Sequence, residues 1–102
     1  MYRENKMITK KIQALNTQET RVVTEIYRFK SIHKAAKTLN VTPNYVNVTL
    51  LRLEIKLGCQ LFLRRQKTGM VEVTKNGQVI IPELVKISDI YLWIIEYLSK
   101  LE

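Results

Sequence analysis

The sequence predicts a mainly α-helical protein in which three helices and a two-stranded β-hairpin precede one long C-terminal helix. Three observations support this fold. Helix-capping residues stand in front of segments with helical apolar periodicity. Two short apolar segments flank a glycine-containing turn, which is typical of a hairpin. The last part of the chain repeats apolar residues in alternating four- and three-residue steps, the pattern of a helix that pairs with another helix.

The first two helices are marked by their N-caps. Asn16 and Glu19 have the spacing of a capping box, in which each side chain accepts a hydrogen bond from the other residue's backbone amide. Ser31 is the expected cap of a short second helix that ends near Leu39. Asn40 then stands where a tight turn needs a left-handed residue, a conformation that asparagine tolerates better than most residues do. A turn into a third helix is therefore predicted here.

The third helix has clear signals at both ends. Thr42 supplies a hydroxyl N-cap, and Pro43 at the first helical position gives up an amide that has no helical partner there. Gly58 is expected to end the helix. One buried stripe is predicted along it, formed by Val46, Leu50, Leu53 and Leu57.

The hairpin is predicted to have strands at residues 61–65 and 70–73 around a turn at 66–69. Thr74 is expected to cap the final helix. About 27 residues of helix span about 40 Å, which is longer than a domain of this size can cover. A seam that pairs with a second copy is therefore predicted, formed by Ile80, Leu84, Ile87, Tyr91, Ile94, Leu98 and Leu101.

The charge distribution separates three segments: a basic arm at 1–14, the helical domain with its hairpin at 15–74, and the dimerisation helix at 75–102. The net charge is +8. Residues 1–74 carry 14 Lys and Arg against 5 Asp and Glu, whereas the last segment carries 3 against 4. Such asymmetry favours an anionic partner for the first part and a protein contact for the second.

Several classes of protein are not expected. A single cysteine, Cys59, excludes an internal disulfide, and the lone His33 has no partner at metal-ligand spacing. Neither a catalytic constellation nor a glycine-rich phosphate loop is present, so no enzyme and no cofactor are expected. No signal peptide is visible, and charged residues interrupt the apolar segment 79–98. A soluble, cytoplasmic protein without a membrane partner is predicted.

Two short helices joined by a tight turn, the second of them well capped, form a helix-turn-helix, to which the hairpin adds a wing. The helix after the turn fits the major groove of DNA, and a cationic wing reaches the neighbouring backbone or minor groove. Double-stranded DNA is therefore the predicted partner. The candidate DNA-binding residues are Lys30, Lys34, Thr42, Pro43, Asn44, Asn47, Val48, Arg52, Arg64, Arg65 and Lys67.

Within this set, Asn44 and Asn47 are candidates for base reading, because an asparagine amide can pair with N6 and N7 of adenine. Val48 can touch a thymine methyl group, so a site rich in A·T pairs is expected. The arginines and lysines are candidates for phosphate contacts. The alternatives are ordinary exposed polar residues for the asparagines and solvated surface charges for the cations.

A series of ordered landmarks within residues 15–95 is formed by residues 30–36, 39–43, 53–64 and 73–77 and by Pro82. With these landmarks the chain resembles the N-terminal DNA-binding domain of the LysR-type transcriptional regulators. The resemblance implies a winged helix-turn-helix with a linker helix, acting as a homodimer on a pseudo-palindromic site. Such regulators continue into an effector-binding domain, whereas this chain ends at Glu102, so no small-molecule effector is expected.

The family often has serine and arginine where this chain has Asn47 and Val48, so the first two turns of the third helix carry no positive charge. Two functions remain open. The first is a stand-alone, sequence-preferring regulator that binds DNA as a homodimer. The alternative is an interaction module that pairs with or sequesters another transcription regulator without reading DNA. The salt dependence of DNA binding distinguishes them.

Overall fold

The computed structural model describes residues 15–65 and 67–101, so the predicted basic arm at 1–14 lies outside the described residues. The predicted fold class is confirmed: the chain is mainly helical, with a two-stranded antiparallel wing and a long C-terminal helix. The elements in order are α1 (Thr17–Phe29), α2 (Ile32–Leu39), α3 (Pro43–Leu57), β1 (Phe62–Arg64), β2 (Val71–Val73) and α4 (Lys75–Ser99).

Each helix begins at the cap that the sequence predicted. The Asn16 and Glu19 capping box is present, with both side chains accepting from the other residue's amide at 2.9 and 3.0 Å. Ser31 caps α2 through the amide of Lys34, and Asn40 ends it in the left-handed region at φ 58°. Because these caps satisfy amides that have no helical partner, they set where each helix starts.

The domain core lies between α1, α2, α3 and the first half of α4. Val22, Val23 and Ile26 of α1 are fully buried, and Ala35 and Ala36 of α2 pack against them in one cluster. Small side chains let α2 approach its neighbours closely. On α3 the predicted stripe is confirmed for Val46, Leu50 and Leu53, which are buried, while Leu57 is partly buried at the edge of the core.

The wing is docked onto the start of α2. Its strands pair with Phe62 opposite Val73 and Arg64 opposite Val71, so each is shorter than predicted. Beyond the ladder, the amide of Ile32 donates to the carbonyl of Gly69 at 2.8 Å. Gly69 has φ 69°, a conformation that favours glycine, and a Cβ there would lie 2.2 Å from the ring of His33 and would displace it.

The long helix α4 divides into two parts. Residues 75–88 pack on the domain core, and residues 89–99 extend beyond it and are called the overhanging part. Thr74 caps it, and a Cβ on Gly77 would lie 2.3 Å from the carbonyl oxygen of Leu61, which explains the glycine at this contact. Ile81, Leu84 and Ser88 are buried against the domain. From residue 89 to the end of the helix every side chain is exposed.

This division separates the residues of the predicted dimer seam into two groups. Leu84 is only 4% exposed and belongs to the domain's own core, and Ile80 packs against that core. Both residues fall in the half of α4 that rests on α1, where the domain itself covers Leu84 and part of Ile80. The exposed remainder of the seam is Ile87, Tyr91, Ile94, Leu98 and Leu101.

Candidate nucleic-acid interface

The helix α3 presents a line of side chains on the side opposite its buried stripe. Each residue turns a helix by about 100°, so Val48 lies roughly opposite Val46 and Leu50. The residues on this exposed side are Asn44, Val48, Leu51 and Ile55, which we call the outer ridge. Apart from Asn44 the ridge is apolar, and it carries no charge along its length.

The N-terminus of α3 is open to solvent and free of negative charge. Thr42 accepts a hydrogen bond from the amide of Tyr45 at 3.1 Å, and Pro43 and Asn44 are exposed beside it. The first turn contains no acidic residue. The partial positive charge of a helix N-terminus is therefore available to an anion such as a phosphate.

The wing side of α3 forms a cleft of about 210 Å³ with the wing and the start of α2. Asn47 lies here and is half-buried, so it differs from the fully exposed Asn44. The sequence made both asparagines equal candidates for base reading. It contained no sign of the cleft, because the closure of the wing over α2 and α3 depends on contacts between distant residues. The lining residues are Ile32, His33, Asn47, Arg64, Arg65 and Gly69.

A buried carboxylate connects α3 to the wing. Glu54 is 4% exposed and accepts hydrogen bonds from the amides of Leu61 and Phe62, at 2.7 and 3.2 Å. The guanidinium of Arg64 completes this arrangement at 2.9 Å. A buried charge is stable only when it is paired and hydrogen-bonded. Arg64, predicted as a phosphate contact, therefore has a structural task as well, holding β1 against α3.

The remaining wing cations are exposed. Arg65 forms an ion pair with Glu72 across the hairpin, and this carboxylate raises the pKa of the Arg65 guanidinium above its ordinary value. Both partners are largely in solvent, so the pair contributes little and a phosphate can replace the carboxylate. Lys67 is exposed at the turn. The wing thus offers two accessible positive charges.

The other side of α3 faces the N-terminus of α1 across a second cleft of about 290 Å³. Arg52 lines it together with Tyr45 and Thr49, and its side chain is exposed. Lys56 at the end of the cleft donates to Glu19 at 2.6 Å, which fixes α1 against α3. Tyr45 was not among the predicted site residues, although its place in the first turn of α3 could have indicated it.

The two predicted cations near α2 differ in their surroundings. Lys30 ends α1 in the left-handed region, and its ammonium lies 3.9 Å from the ring centroid of Tyr27. Lys34 is exposed in the first turn of α2. Lys34 is therefore available to a DNA backbone, whereas Lys30 already contacts a ring and the carbonyl of its own helix end.

Within residues 15–65 and 67–101, no group of three or more His, Cys, Asp and Glu side chains is arranged to hold a metal ion. None of the helices in this part of the chain combines the length and apolar character needed to cross a membrane.

Comparison with solved structures shows the same fold in several proteins. OxyR of Corynebacterium glutamicum, in a mutant form bound to hydrogen peroxide, aligns over 82% of this chain with a TM-score of 0.75 and 24% identity. The DNA-binding domain of CbnR in complex with DNA aligns over 85% with a TM-score of 0.72 and 17% identity. The BenM DNA-binding domain with catB site 1 DNA aligns over 85% of this chain with a TM-score of 0.72 and 20% identity.

The coverage of these structures differs. The present chain spans 26% of the OxyR chain, but 98% and 96% of the CbnR and BenM domains. A comparison with curated protein sequences gives no significant match.

The family comparison is decisive. Residues 17–78, more than half of the chain, match the model described as "Bacterial regulatory helix-turn-helix protein, lysR family". This family is defined by a DNA-binding domain of transcription regulators and is not a family of enzymes. The matched range runs from the start of α1 to the first turn of α4, so it contains both the outer ridge and the wing. The chain therefore belongs to the LysR family of bacterial regulatory helix-turn-helix proteins.

Proposed function

We propose that the chain is a sequence-preferring regulator that binds double-stranded DNA as a homodimer, with α3 in the major groove. The observation that carries this proposal is the arrangement around α3. A capped helix N-terminus without acidic residues leads into an exposed ridge, and Arg52 lies on one side of it while Arg65 and Lys67 lie on the other. Cations on both sides of a helix suit the two phosphate-lined edges of a groove.

Base reading is assigned to the first two turns of α3. Asn44 at the start of the outer ridge and Asn47 in the wing-side cleft each carry an amide that can pair with adenine. We assign the phosphate contacts to Lys34, Arg52, Arg65 and Lys67. Lys30 and Arg64, which already have partners within the protein, are secondary candidates. The structures of CbnR and BenM with DNA support a duplex partner for this fold.

Dimerisation is assigned to the overhanging part of α4. Eight large apolar side chains between Ile90 and Leu98 are exposed there, which is unusual for a helix in solution. A second copy of α4 would cover the exposed seam from Ile87 to Leu101. The predicted stand-alone character and cytoplasmic location of the protein remain predictions.

One observation favours the alternative, an interaction module that pairs with another transcription regulator. The outer ridge is apolar after Asn44, with Leu51 and Ile55 more than half exposed. A protein partner would also bury such a surface. In this second function the ridge or α4 would contact the partner and the cations would be solvated.

Selection of bound fragments from random duplex DNA tests the proposal. A regulator should enrich a common sequence and should lose affinity steeply as salt increases, because each neutralised phosphate releases counterions. A protein that enriches no sequence, and whose weak binding barely responds to salt, would instead support the interaction module.

A further inference from the structure

The outer ridge of α3 has an unusual composition for a helix that faces a polyanion. Val48, Leu51 and Ile55 are 36%, 52% and 68% exposed, and they continue the line that Asn44 begins at four- and three-residue steps. They keep this exposure in the described chain because the buried stripe lies on the opposite side of the helix. The middle of the ridge therefore presents methyl groups where a cation or a long polar side chain would otherwise stand.

The charges lie beside this ridge and not on it. Arg52 lies towards the α1 side, and Asn47 lies towards the wing, in the cleft shared with Arg65. This arrangement complements a major groove, whose edges are phosphates and whose floor is formed by base edges. Beyond Asn44, the ridge residues that meet the floor are then apolar.

Only one feature of the floor is apolar. Guanine presents two acceptors that favour a cation, and cytosine and adenine present amino groups, whereas thymine presents a methyl group at C5. Resting on the proposed DNA-binding function, we infer that Val48 and Leu51 select DNA by contact with the C5 methyl groups of pyrimidines. Thymine is the natural bearer of this group, and 5-methylcytosine presents the same one.

The spacing of the two residues suits neighbouring base pairs. Val48 and Leu51 are separated by about 4.5 Å along the helix, close to the rise of about 3.4 Å between adjacent bases. Ile55 lies a further turn along, about 16 Å from Asn44, whereas a recognition helix contacts base edges with its N-terminal residues. Val48 and Leu51 therefore carry the methyl contacts, and Ile55 provides a control on the same ridge.

The test compares a short alternating dA–dT duplex with a dA–dU duplex of the same length, because uracil lacks only the methyl group. The protein should bind the dA–dT duplex more tightly, by about fourfold for each methyl group that Val48 or Leu51 buries. In the double variant Val48→Ala and Leu51→Ala this preference should disappear. Ile55→Ala should keep it, and all three proteins should unfold at the same temperature.

Two results would overturn the inference while leaving the proposed function intact. One is equal affinity of the unmodified protein for both duplexes. The other is a preference that persists in the double variant, because DNA shape would then be its source. Failure to bind any duplex, including DNA selected from random sequence, would remove the proposed function itself. A matching arm compares a dG–dC duplex with its 5-methylcytosine counterpart, for which tighter binding of the methylated duplex is expected.

Discussion

The outer ridge of α3 and the overhanging part of α4 both expose apolar side chains, but their surroundings differ. On α3 the apolar residues form one narrow line between cations. On α4 they occupy most of the helix circumference, and even Trp93 and Tyr97, which stack at 5.6 Å, are exposed. The difference shows that exposure alone does not identify a partner. A narrow line between positive charges suits a nucleic acid, whereas a broad apolar surface suits another helix.

The largest expected effect comes from placing charges in the exposed apolar surface of α4. The double substitution Ile94→Glu and Leu98→Glu should convert dimers into monomers in sedimentation. Each dimer would lose four buried side chains, each contributing about 1.5–3 kcal/mol, and would gain four charges at the seam.

Val79→Glu is the matched control for this experiment. Val79 is equally an exposed apolar residue of α4 but lies in the part that packs on the domain, on the side away from the core. It should leave the dimer intact. A double variant that still sediments as a dimer would place the interface outside the overhanging part.

The second prediction separates the two parts of α4. In the monomeric background, Leu84→Ala should lower the free energy of unfolding by about 2–5 kcal/mol, because it leaves a cavity in the domain core. Leu92→Ala, the same change in the overhanging part, should change it by less than about 0.5 kcal/mol. Urea denaturation measures both. Equal losses would mean that the overhang packs on its own domain.

The third prediction tests the α3 side. Asn47→Ala should cost about 1–3 kcal/mol of discrimination at one base pair, if the amide makes two hydrogen bonds to adenine. The measurement is binding to the selected site and its single-base variants. Asn76→Ala, an exposed asparagine on α4, is the control and should leave the preference unaltered. Identical preference profiles for Asn47→Ala and the unmodified protein would exclude direct reading by this side chain.

The smallest effect is expected at the wing. Arg65→Ala should weaken binding to specific and non-specific DNA alike, and should lower the salt slope by about one, because one phosphate is no longer neutralised. Lys86→Ala removes a cation from a comparable exposed ion pair, with Glu83 on α4, and should leave the slope unaltered. A loss confined to one base position would show that Arg65 reads sequence.

Much of the fold could be predicted because its signals are local. Asn16, Ser31, Thr42 and Thr74 each act on an amide within three residues, so a short stretch of sequence is sufficient to predict where the four helices begin. The heptad pattern of α4 was equally clear. It shows which side of a helix is apolar, but Leu84 demonstrates that it does not show which surface covers that side.

The electrostatics of the interface depend on longer-range pairing. The sequence suggested one cluster of wing cations, yet Arg64 is held by Glu54 ten residues earlier and Arg65 by Glu72 on the other strand. Asn47 likewise looked equivalent to Asn44 in the sequence, but in the folded chain it lines the cleft beside the wing. Such partners meet only after folding, and periodicity carries no information about them.

The connection between the wing and α4 determines which spacing of two DNA half-sites the proposed dimer would bind. The amide of Thr74 donates to the carbonyl of Leu61 at 3.0 Å, and its hydroxyl donates to the carbonyl of Gln60 at 2.6 Å. The start of α4 is therefore joined directly to the DNA-binding domain by hydrogen bonds. In a dimer joined through α4, the distance and angle between the two recognition helices would be set by the protein. Since each added base pair rotates a half-site by about 34° around the duplex axis, such a dimer would recognise the helical phase of its two half-sites as well as their sequence.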